Sequence, residues 1–258
     1  MKKWQAKLMI SLVAGIVIVI ALSPSAKAFE LGARGYYWFP TIQSDIRIDG
    51  STIRGTEFNL LDTLALGSEA YPAIEVFAGL GKNHLSLMYT QADYSGSATL
   101  SRQIIFNGTT FPAGTAVNSN FKIKMLDLAY KRDLVAIKNI LAGFSFSLIG
   151  KIKHIEGDAQ ISSNANSAAE SFRLPIPLIG AGAHVGLLAN ILEARAELTG
   201  IAYNSNYLYD ASADLSWTPL PFIDLHGGYK IIGIHIDHKD LFFTPTIAGP
   251  YIALTVSF

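Results

Sequence analysis

Tyr251-Ile252-Ala253-Leu254-Thr255-Val256-Ser257-Phe258 alternates without a break: its even positions are large and apolar, its odd ones small or polar apart from Tyr251. Successive side chains of a strand point to opposite faces, so this run reads as a strand with one oily face. Upstream, Leu192, Ala194, Ala196 and Leu198 alternate with Glu193, Arg195, Glu197 and Thr199. Tyr209, Ala211, Ala213, Leu215 and Trp217 alternate in the same way with Asp210, Ser212, Asp214 and Ser216. Mean hydropathy is positive, yet after residue 28 no stretch is long and apolar enough to cross a bilayer as a helix. The apolar residues come in short regular pieces, a pattern that also suits a soluble two-sheet sandwich.

Reading these pieces along the chain gives ten strands, at about 30–39, 71–79, 84–95, 121–133, 140–156, 174–189, 192–203, 207–217, 222–237 and 248–258. Eight or twelve remain open, because Ile46-Arg47-Ile48 can extend the first hairpin and 58–66 can form a short helix. Connections 40–70, 96–120, 157–173, 204–206 and 238–247 are mostly long and polar, whereas those between are tight. Asn107-Gly108 fits a tight hairpin turn, and matters more as a turn than as the start of a glycosylation sequon. Arg173-Leu174-Pro175-Ile176-Pro177 fits an edge or a loop, since proline donates no ladder hydrogen bond.

At the amino terminus Lys2, Lys3 and Lys7 precede an apolar run from Leu8 to Leu22, followed by Ala26-Lys27-Ala28. Basic, apolar and small-x-small regions in that order predict a cleaved signal peptide, 1–28, ahead of a single domain, 29–258. Its removal takes the basic count from 20 to 16 against 20 acids. A mildly acidic mature chain does not suit nucleic acid, which needs clustered Lys and Arg. There is no cysteine, which excludes disulfides, thiolate metal sites and a cysteine nucleophile.

An exported chain that ends in an aromatic residue on its oily face resembles the small outer-membrane β-barrel proteins of Gram-negative bacteria, whose carboxyl-terminal strand carries the assembly signal; here that strand is Tyr251 to Phe258. The resemblance implies an all-β, up-and-down antiparallel transmembrane barrel with both termini in the periplasm. It also implies contact with outer-membrane lipid and lipopolysaccharide, and with the barrel-assembly machinery during biogenesis. Closure fits bilayer physics, because a backbone group left unpaired in hydrocarbon costs several kcal/mol. Tyr37, Trp38, Trp217, Phe222, Tyr251 and Phe258 stand near strand ends and are expected to form interfacial aromatic girdles.

With the polar face as the lumen, a basic stripe of Lys122, Lys124, Lys151 and Lys153 is expected to face an acidic stripe of Glu193, Glu197, Asp210 and Asp214. Arg34, Glu75, Asp127, Lys131, His184, Arg195, Asp224, His226 and Lys230 complete the polar bore. Keeping the oily face outward requires β-bulges near Met125-Leu126 and near Ile232-Gly233. Such charges either pair and fill the bore or set up a transverse field that orients a small polar solute.

Catalysis is the alternative that His226, His235 and His238, with Asp224 and Asp237, bring up. Some barrel proteases use paired Asp with an Asp–His pair at the extracellular rim, but Asp237 and His238 are adjacent and would point to opposite faces of a strand. His84-Leu85-Ser86 is the nearest approach to the Ser and His of barrel lipases, and it lies beside a short turn. His235, Asp237 and His238 converge too loosely for a metal. The expectation is therefore a monomeric, non-enzymatic barrel without cofactor, a narrow channel or passive membrane component, with a barrel hydrolase and a surface adhesion or binding protein as alternatives.

Overall fold

The computed structural model describes residues 29–67, 70–137, 143–188, 191–238 and 241–258; the expected leader, 1–28, lies outside them. The strands are β1 (Phe29–Trp38), β2 (Thr41–Ile48), β3 (Phe58–Asn59), β4 (Tyr71–Leu80), β5 (Asn83–Thr99), β6 (Ile104–Phe106) and β7 (Thr109–Phe111). They continue with β8 (Ala116–Ile137), β9 (Phe144–Ser162), β10 (Ser167–Leu188), β11 (Leu192–Tyr203), β12 (Asn206–Leu220), β13 (Ile223–His238) and β14 (Leu241–Ser257). A short helix, α1 (Leu60–Leu64), follows β3.

Ten of these form the wall, each antiparallel to the next in the order β1-β4-β5-β8-β9-β10-β11-β12-β13-β14, and β14 returns to β1. No edge is left in the ring, as a lipid-facing sheet requires. Leu31 N donates to Phe258 O at 2.9 Å and Phe258 N to Leu31 O at 2.8 Å, so both ends of the described chain lie at one rim. The tight connections share that rim, the turn end; the opposite rim is the loop end.

The wall is much taller than a bilayer needs. β8 and β10 have 22 residues each, about 70 Å of strand, against a lipid band of about 25 Å crossed at a tilt of about 35–45°. Around the turn-end half, one residue in two is apolar and outward: Ile74, Val76, Leu148, Ile152, Leu198, Leu215, Ile252 and Leu254 are all about half exposed or more. Tyr37, Trp217, Phe222 and Phe258 join this oily exterior.

Two expected girdle residues do not. Trp38 and Tyr251 are buried; the indole Nε1 donates to Gly249 O at 3.1 Å and the phenol to Asp214 Oδ2 at 2.9 Å. They occupy inward positions of β1 and β14, so strand parity overrides their nearness to strand ends.

The expected bulges are absent. β8 runs against β9 without a shift from Asn118 through Asp133, and β13 keeps one register against β14 throughout its pairing. Among the described residues, the irregularities fall near turns instead, at Asp133/Val135, Gly186/Leu188 and Trp217/Leu220. What changes along β8 is the environment. Asp127 and Lys131 point into the bore, and so do Met125, Ile123 and Phe121 further up, while Lys122 and Lys124 point outward. Lys122 Nζ lies 3.1 Å from Asp93 on the outer surface. Lys122 and Lys124 are thus corrected from lumen to exterior, because above the lipid band water is outside and the oily face turns inward.

The loop-end half encloses an apolar core. β2 prolongs β1 along β14, with Trp38 opposite Tyr251 and Thr41 opposite Ala248 on one register, so Ile46-Arg47-Ile48 continues the first strand but pairs with β14, not with β4 as an extended first hairpin would. Asn59 caps α1 by accepting from Leu61 N and Asp62 N, and the helix buries Leu60 and Leu64. It lies so close to β5 that a Cβ on Gly96 would meet Leu64 O at 2.2 Å. The 96–120 connection proves to be mostly strand: β5 and β8 continue upward and carry the β6–β7 hairpin. Positive φ at Asn107 (44°) and Gly108 (73°) makes its turn, as a two-residue hairpin demands. The hairpin folds over the loop end, burying Ile104, Phe106 and Phe111, and Asn107 Nδ2 ties it to Ala169 O at 3.0 Å on β10.

Pro175 and Pro177 also lie within a strand, β10, and not in a loop. Over 167–178 β10 pairs with β9 alone, since its β11 pairing begins at Ile179. The prolines sit on the stretch whose other edge has no partner strand, where a missing donor costs nothing.

Candidate functional site

The bore is the candidate site, and it holds two layers. Inward positions of β1, β4 and β8 to β13 supply the lower, charged layer, because every second residue there is polar. Lys153 is 1% exposed and stands 2.6 Å from Asp127 and 3.0 Å from Asp210. Lys151 reaches Asp210 at 3.1 Å, and Lys230 reaches it at 3.5 Å. Since β9 and β12 are not neighbours in the wall, the Lys151 and Lys153 contacts with Asp210 cross the bore. Lys131 does the same from β8 to Glu197 on β11, at 3.2 Å.

Nearer the turn end, Arg34 Nη1 lies 3.4 Å from Glu75, whose carboxylate also accepts from Tyr36 at 2.6 Å. Glu193 pairs with Arg195 at 3.1 Å and with His184 at 3.0 Å. Asp224 accepts from Thr218 at 2.6 Å. The basic and acidic side chains on the lumen side therefore meet directly, so no transverse field spans an empty bore: the gap across which one would act is filled with ion pairs. Buried charges of this kind persist because each is paired.

Above the charges lies a row of rings. Tyr71 and Tyr94 are 5.4 Å apart, Tyr94 and Phe121 6.4 Å, Phe121 and Phe243 6.0 Å, and Phe243 and Phe172 5.8 Å. Because these rings come from β4, β5, β8, β14 and β10 in turn, the row spans the bore from wall to wall. Ile123, Ile155, Ile232 and Ile247, none more than 1% exposed, pack around it. The row escaped sequence reading because its members lie on strands far apart in the chain; the odd-position spacing of Phe121, Ile123 and Met125 was its only local trace.

A cavity of about 360 Å³ lies among the ion pairs, lined from Glu30, His84 and Asp133 to Lys151, Asp210 and Lys230.

The histidines singled out for chemistry take separate places. His226 Nε2 lies 2.8 Å from Thr255 Oγ1 and its Nδ1 3.1 Å from Asp214, while Arg34 Nε donates to the same hydroxyl at 2.6 Å. Hydroxyl, imidazole and carboxylate in that order form the relay of a nucleophile and its base. Thr255 is 2% and His226 5% exposed and neither lines the cavity, so the relay as placed offers no surface to a substrate and clasps β12, β13 and β14 together. His84 faces Asp133 at 3.4 Å. His235 lies outside the bore, stacked on Tyr207 at 5.2 Å. The side chain of His238 is outside the described residues, among which no metal-binding group of His, Asp and Glu is found.

A closed antiparallel ring with an oily outer band and a charged interior defines a membrane-spanning β-barrel. In three dimensions the chain is similar to the outer membrane protease OmpT of Escherichia coli, with a TM-score of 0.54 at 11% identity over 92% of this chain and 100% of that one. It also matches the translocator domain of autotransporter NalP from Neisseria meningitidis (TM-score 0.43, 10% identity, 100% of this chain and 98% of that one). A third match is Ail, the attachment invasion locus protein of Yersinia pestis (TM-score 0.39, 11% identity, 90% and 99%). At such identity the likeness to OmpT concerns the fold alone. No protein-family model and no curated protein matches the sequence.

Proposed function

We propose that this chain is a non-conducting outer-membrane barrel, without enzymatic activity, that holds a rigid loop-end structure outside the cell for contact with solutes or surfaces. The observation that carries this reading is the aromatic row from Tyr71 to Phe172, which crosses the bore above the Lys153–Asp127–Asp210 cluster. Hydrated ions would have to displace both layers to pass. The wall above the lipid band, packed within and capped by the β6–β7 hairpin, is built as a platform. In this reading the turn end and both termini face the periplasm, as an exported chain with a carboxyl-terminal assembly strand requires.

Planar-bilayer recording of the folded protein tests it: the expected trace is flat, and single-channel steps from the wild type would overturn the reading. Deleting residues 101–113 should leave the barrel folded and abolish binding of displaying cells to the surface they adhere to. Adhesion unaffected by that deletion removes the platform role.

A further inference from the structure

Outside the bore, β12, β13, β14 and β2 carry a second group of rings. Along β14 the outward residues run Val256, Leu254, Ile252, Pro250 and Ala248, then Thr246 and Thr244, so the wall turns polar where the oily band ends. At that height Tyr207, Tyr209 and His235 point outward by strand parity. The Tyr209 ring covers Gly233, its cross-strand partner, where a Cβ would fall 2.3 Å from two of the ring carbons. Tyr207 lies nearly parallel to Tyr209 (18°, centroids 6.3 Å apart) and to His235 (12°, 5.2 Å). The three rings therefore overlap like tiles along the sheet, and Tyr207 stays 47% exposed.

Beside the rings is a polar recess of about 360 Å³, lined by Gln43, Asp45, Asn59, Asp62, Thr244 and Thr246. Register joins the two: Tyr209, Gly233, Thr246 and Gln43 are successive cross-strand partners. Two residues nearer the loop end, Tyr207 pairs with His235, and Thr244 with Asp45 and then Asn59. Among the described residues Gln43, Asp62 and Thr246 make no side-chain hydrogen bond or ion pair. An interfacial girdle needs only rings; rings edged by free amide, hydroxyl and carboxylate groups match a sugar, which has a C–H face and a rim of hydroxyls.

We propose that this surface binds neutral saccharides, with one pyranose stacked on Tyr207 and His235 and its hydroxyls bonded in the recess. The electron-rich face of an aromatic ring attracts the polarised C–H groups of a sugar, and the recess supplies both donors and acceptors in a volume typical of small-ligand pockets. Asp45 and Asp62 repel acidic or phosphorylated sugars, while Arg47, the next outward residue of β2, is engaged by Asp49 and Glu57 at 3.3 and 3.7 Å. The inference names a ligand class for the loop-end structure proposed above and rests on that reading for the side of the membrane it faces. Micelles remove that dependence, so a failure to bind leaves the closed bore and the role of the β6–β7 hairpin standing.

Saturation-transfer NMR titration of the folded protein in dodecylphosphocholine, a sugar-free detergent, tests it with cellotriose, mannotriose, galactotriose and the acidic trigalacturonate. Saturable binding of at least one neutral trisaccharide is expected, with a Kd on the order of millimolar. That Kd should rise about fivefold or more in Tyr207→Ala and in Gln43→Ala/Asp62→Ala, and stay unchanged in Tyr207→Phe, which keeps the ring, and in Tyr37→Ala, a ring of the oily band. Each variant is first shown to be folded by its heat-modifiable gel mobility. Binding of none of the neutral sugars, equal or tighter binding of trigalacturonate, an unaltered Kd in Tyr207→Ala, or an equal loss in Tyr37→Ala overturns the proposal.

Discussion

Lys153→Met tests whether the charged layer is as dry as it is drawn. The side chain is 1% exposed, and Lys153 is the one cation within ion-pair distance of Asp127 among the described residues, whereas Asp210 retains Lys151 and Lys230. Methionine fills nearly the same space, so the change isolates charge from volume. Removing one partner of a buried pair leaves an uncompensated charge and costs about 3–5 kcal/mol. Replacing both, as Lys153→Met/Asp127→Leu, should return stability to within about 1 kcal/mol of wild type, because apolar side chains of similar volume dispense with the desolvation penalty. Urea titration in phospholipid vesicles, followed by the emission of Trp38 and Trp217, measures both. A single variant that loses under about 1 kcal/mol, or a double variant as damaged as the single, would show that water bathes the layer and that the reasoning is wrong.

Phe243→Ala removes the ring that joins Phe121 to Phe172, and should cost about 3–5 kcal/mol in the same titration; a loss below about 1 kcal/mol would mean that the row does not pack as a core. Ile252→Lys, outward in the lipid band, should cost about 2–4 kcal/mol, whereas Lys124→Leu, outward above the band, should cost under about 0.5 kcal/mol; similar losses for both would misplace the band. Pro175→Val/Pro177→Val restores two backbone donors on the unpartnered edge of β10 and should promote self-association, read by light scattering in detergent. Unchanged scattering would show that the edge is covered by other means.

Much of the fold is legible in the chain because strand periodicity is local. The alternation in 251–258, 192–199 and 209–217 identifies strands wherever they stand, and the spacing of tight and long connections yields ten of them in an up-and-down ring. The inward placement of Lys151, Asp210, Asp214 and Glu193 follows from the same parity. Nearness to a strand end points Trp38 and Tyr251 to the girdles, whereas strand parity turns both inward. Pro175 and Pro177 fit an edge or a loop by sequence, and only the end of the β10–β11 pairing at Ile179 explains how a strand there tolerates them.

The amino-acid sequence by itself determined which segments alternate and pointed to ten wall strands, with eight or twelve left open. It did not determine which face meets which solvent. A bulge and an exchange of surroundings leave the same mark on a single strand, a shift of the oily residues from one parity to the other, and Met125-Leu126 and Ile232-Gly233 carry that mark. Only the unbroken registers of β8 with β9 and of β13 with β14 separate the two causes. The wall outruns the bilayer, so its oily side faces lipid below and its own centre above. Lys122 and Lys124 consequently lie outside, and the rings that cross the bore come from five strands that meet only in three dimensions.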